Sequence, residues 1–317
     1  MREVILLAAG GTISSVEGAS GRPGATPQLD AAALSAELPG VAEARSLRAV
    51  NGSQLTNDDA LAIARAAAAE ADGGRGVVVT SGTDTVEELA VLCDALAGDG
   101  PPVIVTGAIR PASSPGADGP ANLRDAVAVA AADQTAGLGA VVCFAGELHA
   151  ARTVRKVDST APHAFGSPRG GPIGRVVEQS VELYARPLRG ARLAPERLDF
   201  DVPIVSTWLG DDGRVLRAAA QGADGIVLVG LGAGHLPPPV LAALRELDGP
   251  VVLALRPERG ALLRETYGFE GSERDVLAAG VVPAPGLAPP AARILLLAAL
   301  GAGLDRDALD SVFTVGA

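Results

Sequence analysis

The sequence predicts an α/β protein with a larger N-terminal parallel-sheet domain and a smaller C-terminal α/β domain. The strand candidates are apolar along their whole length, which suits parallel strands buried on both faces. Segments with helical spacing of apolar residues separate these strands, and this alternation indicates right-handed crossovers in a parallel sheet. The chain has 317 residues, 48% hydrophobic and 20% charged, so it is long and apolar enough for two cores.

Strand and helix candidates alternate along the first half of the chain. The predicted strands are residues 3–9, 76–81, 101–107 and 139–146. The predicted helices are residues 57–71, 84–98 and 118–133, and each begins with an acidic residue or asparagine, as helix N-termini prefer. Residues 15–28 are rich in Gly, Ser and Pro, so we expect an irregular, mobile segment at the position of a lid.

A change of composition divides the chain. Residues 186–202 lack periodicity and are dominated by Pro, Arg and Gly, which is typical of a linker. The linker separates an N-terminal domain predicted at residues 1–185 from a C-terminal domain predicted at residues 203–317. The C-terminal elements are strands at 203–209, 225–231 and 250–255 and helices at 238–247, 272–280, 289–303 and 305–313.

Composition excludes several classes of partner. The formal net charge is −11 without any basic cluster, which argues against nucleic acid and against an anionic membrane surface. No apolar run is long enough to span a membrane, and the first run reads as a strand rather than a signal peptide. We therefore expect a cytoplasmic protein.

The cysteines and histidines show no metal-binding pattern. Cys93 lies in a helical pattern and Cys143 in a strand, so both are expected to be buried core thiols. The three histidines are scattered without ligand spacing, and the glycines of 230–235 lack the GxGxxG spacing of a dinucleotide site. We expect neither a metal nor another cofactor.

Polar residues follow the predicted strands at the sheet edge where open parallel sheets bind ligands. Thr12 follows the first strand, Ser53 and Gln54 precede the helix at 57–71, and Thr83 and Asp84 follow the strand at 76–81. Two hydroxyl groups and several polar side chains therefore converge on one rim.

A structural explanation of part of this pattern stands beside the functional one. Asp84 or Thr83 can act as a helix N-cap, and Glu87, three residues after Asp84, completes a capping box. The sequence predicts that Asp84 and Glu87 cap the helix while the same turn serves the site.

Lys156 is the only lysine among 26 lysine and arginine residues. Arginine stays protonated in proteins, whereas a buried lysine can lose its proton and act as a base. A threonine hydroxyl needs such a base, and the base needs a group that holds it. Thr83, Lys156 and Asp84 can supply these three groups, and glycine N–H groups can stabilise an oxyanion without a metal. The chemistry favoured is hydrolysis of an amide.

Five segments resemble the bacterial-type L-asparaginase family, and the resemblance covers nearly the whole chain. They are "ILLAAGGTIS", "NGSQLTND", "GVVVTSGTDTVEELA", "PVIVTGAIRPASSPGADGPANLRDAV" and "ARTVRKVDST". The resemblance implies hydrolysis of L-asparagine to L-aspartate and ammonia by a homo-oligomer, usually a dimer of dimers, acting on a small amino-acid substrate.

The resemblance also implies roles for individual residues. Thr12 would be the nucleophile that forms an acyl-enzyme, and Thr83, Lys156 and Asp84 would form a second constellation. Asp84 would also face the substrate's ammonium group. Ser53 and Gln54 would hold the α-carboxylate and α-amino ends of the substrate.

The sequence departs from the family pattern at several places. Ala9 stands where the first signature usually has threonine, and Ser81 where the second usually has histidine. Residues 14–28 lack the tyrosine that the family carries there, and Ala233 and His235 replace asparagines. His235 is either a ligand contact or a loop residue. Two alternatives stay open: a related amidohydrolase preferring glutamine or another amide, and a binding homologue without catalysis.

Overall fold

The computed structural model describes residues 2–18 and 23–313, and the chain divides into two compact units, Met1–Pro187 and Leu188–Ala317. The strands of the first unit are β1 Val4–Gly10, β2 Ser15–Glu17, β3 Ala25–Pro27, β4 Val41–Val50, β5 Gly76–Thr80, β6 Val103–Thr106, β7 Ala140–Phe144, β8 Glu147–Ala150, β9 Arg155–Lys156, β10 Phe165–Gly166, β11 Gly174–Val177 and β12 Ser180–Leu183. Its helices are α1 Ala31–Ser35, α2 Asn57–Asp72, α3 Val86–Leu96 and α4 Gly119–Ala131.

The main sheet of the first unit has the strand order β12-β11-β8-β7-β6-β5-β1-β4. The five strands from β7 to β4 run parallel, which confirms the sequence prediction, and β1 and β5 are buried along their whole length. The other three strands are antiparallel to their neighbours, so the sheet is mixed at one end. Ala145 and Gly146 turn β7 into β8 with positive φ angles, and this tight hairpin reverses the strand direction.

β4 was not predicted from the sequence. It lies at an end of the strand order and pairs in parallel with β1. Its residues are exposed or half-buried throughout, so its sequence carries neither the apolar run of a central strand nor strict alternation.

The segment expected to be irregular contains a β-hairpin. Strand β2 pairs antiparallel with β3, and the backbone N–H of Ala112 donates to Ser15 O at 2.9 Å. The expectation of an irregular segment is therefore wrong at both flanks, where ladder hydrogen bonds order the backbone. Residues 19–22 of this segment lie outside the described residues.

Both cysteines are free and buried, as predicted. Cys93 lies in α3 and Cys143 in β7. Burial raises the pKa of the Cys93 thiol to about 12 and also raises the pKa of Cys143, because a thiolate is poorly solvated in an apolar core.

The second unit contains a four-stranded parallel sheet in chain order. Its strands are β13 Ile204–Ser206, β14 Ile226–Gly230, β15 Val251–Leu255 and β16 Val282–Pro283. Its helices are α5 Arg214–Ala219, α6 Pro238–Leu244, α7 Glu273–Ala278, α8 Pro289–Gly301 and α9 Arg306–Phe313. Within residues 2–18 and 23–313, no helix is both long and apolar enough to cross a membrane.

Candidate active site

Three glycines bring three loops of the first unit into direct backbone contact. A β-carbon added to Gly11 would lie 2.6 Å from the Cα atom of Gly82, and one added to Gly82 would lie 2.6 Å from the Cα atom of Gly52. Gly11 also has a φ angle of +86°, which residues with a side chain rarely adopt. The loops can approach this closely only because all three positions lack a side chain.

Each of these glycines directly precedes a predicted site residue: Thr12, Ser53 or Thr83. The loops follow β1, β4 and β5, which are neighbouring parallel strands, so their carboxyl ends lie at the same edge of the sheet. The side chains of Thr12, Ser53 and Thr83 therefore extend from loops whose backbones are in contact.

Thr12 is half-buried and begins a short 3₁₀ turn, Thr12–Ser14. The hydroxyl groups of Ser14 and Ser15 both donate to Gly11 O, at 2.9 and 3.0 Å. These two hydrogen bonds stabilise the turn and fix the backbone of Thr12 between β1 and the β2–β3 hairpin.

Ser53 and Gln54 are exposed and lie in the 3₁₀ turn Gly52–Gln54. The Gln54 amide oxygen accepts a hydrogen bond from the Asn51 backbone N–H at 3.1 Å. This bond orients the Gln54 side chain, and its Nε2 group is the donor end of the amide.

Lys156 contacts two of the predicted site residues directly. Its Nζ lies 3.0 Å from Thr83 Oγ1 and 2.9 Å from Asp84 Oδ1. Thr83 is 5% exposed, whereas the side chain of Lys156 is 19% exposed and that of Asp84 63% exposed. A hydroxyl, an amine and a carboxylate are therefore hydrogen-bonded in series from the interior to the surface.

Glu87 does not cap the helix as the sequence predicted. The N-cap residue of α3 is Thr85, and no side chain caps this end. The Glu87 carboxylate instead accepts a hydrogen bond from the backbone N–H of Lys156, at 2.8 Å. The capping prediction is wrong because a 3₁₀ turn, Thr83–Thr85, precedes the helix and shifts its start by two residues.

Two hydroxyl groups lie unpaired beneath this site. Thr80 and Ser81 are fully buried, and neither side-chain oxygen has a hydrogen-bond partner among the described residues. Nothing in the sequence distinguishes them from ordinary strand residues, although Ser81 is a position where the chain departs from the pattern it resembles.

His235 lies in the second unit, in the turn after β14. Its Nε2 atom is 3.2 Å from Glu273 Oε2. The centroid of its ring lies 5.2 Å from that of Tyr267 and 5.1 Å from that of Phe269, and both ring pairs meet edge-on. Burial acts to raise the pKa of Glu273. Hydrogen bonds from the backbone N–H groups of Tyr267, Glu273 and Thr266 outweigh it and hold the pKa below the ordinary value. Sequence reasoning singled out His235 but predicted none of these contacts.

Potential metal ligands do not gather in the described part of the chain, where no three His, Cys, Asp or Glu side chains form a group able to hold an ion. The contacts of Lys156 with Thr83 and Asp84 join an amine, a hydroxyl and a carboxylate, three groups that together can activate a hydroxyl.

Two family models match the chain. Residues 3–189 match the asparaginase N-terminal domain, and residues 201–313 match the glutaminase/asparaginase C-terminal domain.

Curated proteins and solved structures agree with these matches. The chain is 38% identical over 315 residues to a probable L-asparaginase of Deinococcus radiodurans, covering 98% of this chain and 97% of that protein. It is 32% identical to a glutaminase-asparaginase of Pseudomonas fluorescens, over 99% of this chain and 90% of that protein. The structure of a probable cytoplasmic L-asparaginase from Campylobacter jejuni superposes with a TM-score of 0.84 at 28% identity, covering 99% of both chains.

Proposed function

The chain belongs to the asparaginase family, and on that premise we propose that it hydrolyses L-asparagine to L-aspartate and ammonia. The observation that carries the proposal is the contact of Lys156 Nζ with both Thr83 Oγ1 and Asp84 Oδ1. An amine between a hydroxyl and a carboxylate can accept a proton from the first while the second orients it.

The reaction proceeds through an ester of Thr12. The Thr12 oxygen attacks the side-chain carbonyl of asparagine, and the C–N bond breaks as the Thr12 proton leaves with ammonia. Water then attacks the aspartyl ester, and one of its protons restores the Thr12 hydroxyl. Lys156 serves as the base through Thr83, and backbone N–H groups of the glycine-rich turns stabilise the oxyanion.

Substrate recognition uses the polar side chains of the same sheet edge. Ser53 and Gln54 hold the α-carboxylate and α-amino ends of the substrate, and Asp84 faces its ammonium group. The Asp84 side chain is 63% exposed, which leaves carboxylate surface for a ligand beyond its contact with Lys156.

Ammonia release from L-asparagine by the purified chain tests the activity. Saturable turnover is expected near neutral pH, and Thr12→Ala should remove nearly all of it while the circular dichroism spectrum stays unchanged. Acid quenching of the native chain during turnover should trap the aspartyl ester on Thr12, detectable by peptide mass spectrometry. Near-normal turnover by Thr12→Ala would refute the assignment of the nucleophile.

A second candidate is an amidohydrolase that prefers glutamine or another amide. The Pseudomonas fluorescens relative is a glutaminase-asparaginase, and this chain lacks the tyrosine that the family carries near the first threonine. The ratio of kcat/KM for L-asparagine to that for L-glutamine decides, and a ratio below one favours this candidate.

A third candidate is a binding protein without catalysis, which the departures at Ala9 and Ser81 motivate. Retention of Thr12, Thr83, Asp84 and Lys156 argues against it, because binding alone needs neither a nucleophile nor a base. Calorimetry that detects bound L-asparagine without turnover would support it.

The proposal extends to assembly and location. A homotetramer built from two dimers is expected from the resemblance, and light scattering of the purified chain measures it. We place the protein in the cytoplasm, as the Campylobacter jejuni protein's name describes for that relative, and cell fractionation tests this.

A further inference from the structure

We propose that Glu87 is a positioning residue for Lys156, acting through the lysine backbone rather than through the reacting atoms. The proposal rests on the proposed function, in which Lys156 is the base. The Glu87 carboxylate accepts the Lys156 backbone N–H at 2.8 Å, across 69 residues of sequence.

The ladder between β9 and β10 provides no acceptor for the backbone N–H group of Lys156. Lys156 pairs with Phe165 in a two-residue antiparallel ladder, β9 with β10. The neighbouring residue Val157 donates to Ala164 O at 2.7 Å, so hydrogen-bonded and non-hydrogen-bonded pairs alternate there. Lys156 occupies the non-bonded position, and its N–H points away from β10. Glu87 supplies the acceptor outside the ladder.

Residues 83–87 thereby bind both the side-chain tip and the backbone of Lys156. Thr83 and Asp84 bind the Nζ atom, while Glu87, in the first turn of α3, binds the backbone. A lysine side chain has four rotatable bonds, so fixing its tip requires a fixed Cα atom as well. A two-residue strand is a weak anchor, and a charge-assisted hydrogen bond to a helix strengthens it.

Loss of the contact should affect the chemical step more than binding. A misplacement of about 1 Å near a catalytic group costs on the order of 100-fold in rate. Lys156 is the base of the proposed reaction, whereas Ser53 and Gln54 provide substrate contacts. We therefore expect a fall in kcat of about 10- to 100-fold with KM changed by less than about 3-fold.

Two conservative variants distinguish the effect of the length of the Glu87 side chain from the effect of its charge. Glu87→Gln keeps the length of the side chain and an acceptor oxygen but removes the charge. Glu87→Asp keeps the charge and shortens the reach by one methylene. Positioning predicts that Glu87→Gln retains most of the turnover and that Glu87→Asp loses it, whereas a purely electrostatic role predicts the reverse. Glu88→Asp, at the next residue of the same helical turn, is the matched control and should resemble the native chain.

The single lysine provides a direct readout of the contact. Protein labelled with ¹⁵N-lysine gives one backbone amide signal, that of Lys156. We expect this signal to shift and to exchange with solvent at least about tenfold faster in Glu87→Asp, as for an amide that has lost its hydrogen bond. Glu87→Gln should lie near the native chain, and Glu88→Asp should coincide with it.

Each outcome decides the proposal. A shifted amide signal with a fall in kcat in Glu87→Asp, both restored in Glu87→Gln, supports it. An unmoved signal, native turnover despite a moved signal, or equal losses in Glu87→Asp and Glu88→Asp overturns it. If the native chain releases no ammonia from any amide, the proposed function fails instead. The amide signal then still reports whether Glu87 holds Lys156.

Discussion

The Nζ atom of Lys156 lies 3.0 Å from the hydroxyl oxygen of Thr83, although 73 residues separate the two in the chain. The lysine side chain is about four-fifths covered and Thr83 is almost fully buried. An amine in such a place can exchange a proton with a hydroxyl, which a guanidinium cannot do.

Replacing Lys156 by arginine should remove turnover although it keeps a long basic side chain at this position. We expect kcat to fall by about 10²- to 10⁴-fold, the usual contribution of a general base, because arginine cannot accept a proton. Ammonia release measures the loss. Arg155→Lys, the neighbouring position, is the control and should turn over normally; an active Lys156→Arg enzyme would show that the base lies elsewhere.

The Gly11–Gly82 contact predicts a severe effect of a single methyl group. Gly11→Ala places its β-carbon 2.6 Å from Gly82 Cα, so the backbone has to move. We expect a loss of about 3 kcal/mol or more in the free energy of unfolding, together with the loss of turnover. Urea unfolding and the ammonia assay measure both.

A second glycine separates this clash from backbone strain. Gly74 has a φ angle of +87°, and a β-carbon there would meet nothing within 4 Å. Gly74→Ala should therefore cost only about 1–2 kcal/mol, the price of a left-handed backbone with a side chain, and should leave turnover intact. Equal costs at Gly11 and Gly74 would mean that the loop contact contributes nothing.

His149 predicts a dependence of stability on pH. It is fully buried in β8, with Nδ1 3.1 Å from Ser167 Oγ, and burial lowers its pKa to about 4 from the ordinary 6.5. The folded chain binds fewer protons than the unfolded chain between these values. The contribution of His149 to the free energy of unfolding is therefore fully present above about pH 6.5. It falls by up to about 3 kcal/mol as the pH drops toward 4.

Removing the imidazole should flatten this profile. The free energy of unfolding of His149→Gln is expected to change less than that of the native chain between about pH 6.5 and 4. His163→Gln, at an exposed histidine, controls for the carboxylates that titrate in the same range. Parallel curves for native chain and His149→Gln would contradict the prediction.

The two thiols should be inert in the folded protein. Cys93 and Cys143 are buried and burial raises both pKa values, so little thiolate forms and reagents have no access. An aromatic disulfide reagent should release no chromophore from native protein and two equivalents after denaturation. Rapid reaction of either thiol before unfolding would indicate that the core opens locally.

Several buried elements were predictable because an apolar run and a helical spacing of apolar residues are local patterns. The apolar runs of β1, β5, β6 and β7 and the spacing of α2 and α4 appear in the structure with ends shifted by no more than two residues. Exposed elements were not predictable: β4 and the β2–β3 hairpin gain their strand conformation from pairing with distant partners, which composition does not report.

The candidate site divides in the same way. The strand-end rule and the lone lysine directed attention to Thr83, Asp84 and Lys156, which the structure brings within hydrogen-bond distance, while their roles stay predictions. Glu87 was assigned to a cap because a capping box is a local pattern. Its actual partner lies 69 residues away, and a single sequence holds no signal of such a pair.

The contact among Gly11, Gly52 and Gly82 also sets the order of events when the chain refolds. No single stretch of sequence contains the site, because its loops meet only after β4, β1 and β5 have paired side by side. Helices such as α2 form from local contacts and recover early, whereas long-range strand pairing is slow. Far-ultraviolet ellipticity should therefore return before enzymatic activity. The recovery of turnover then reports when the sheet has formed completely.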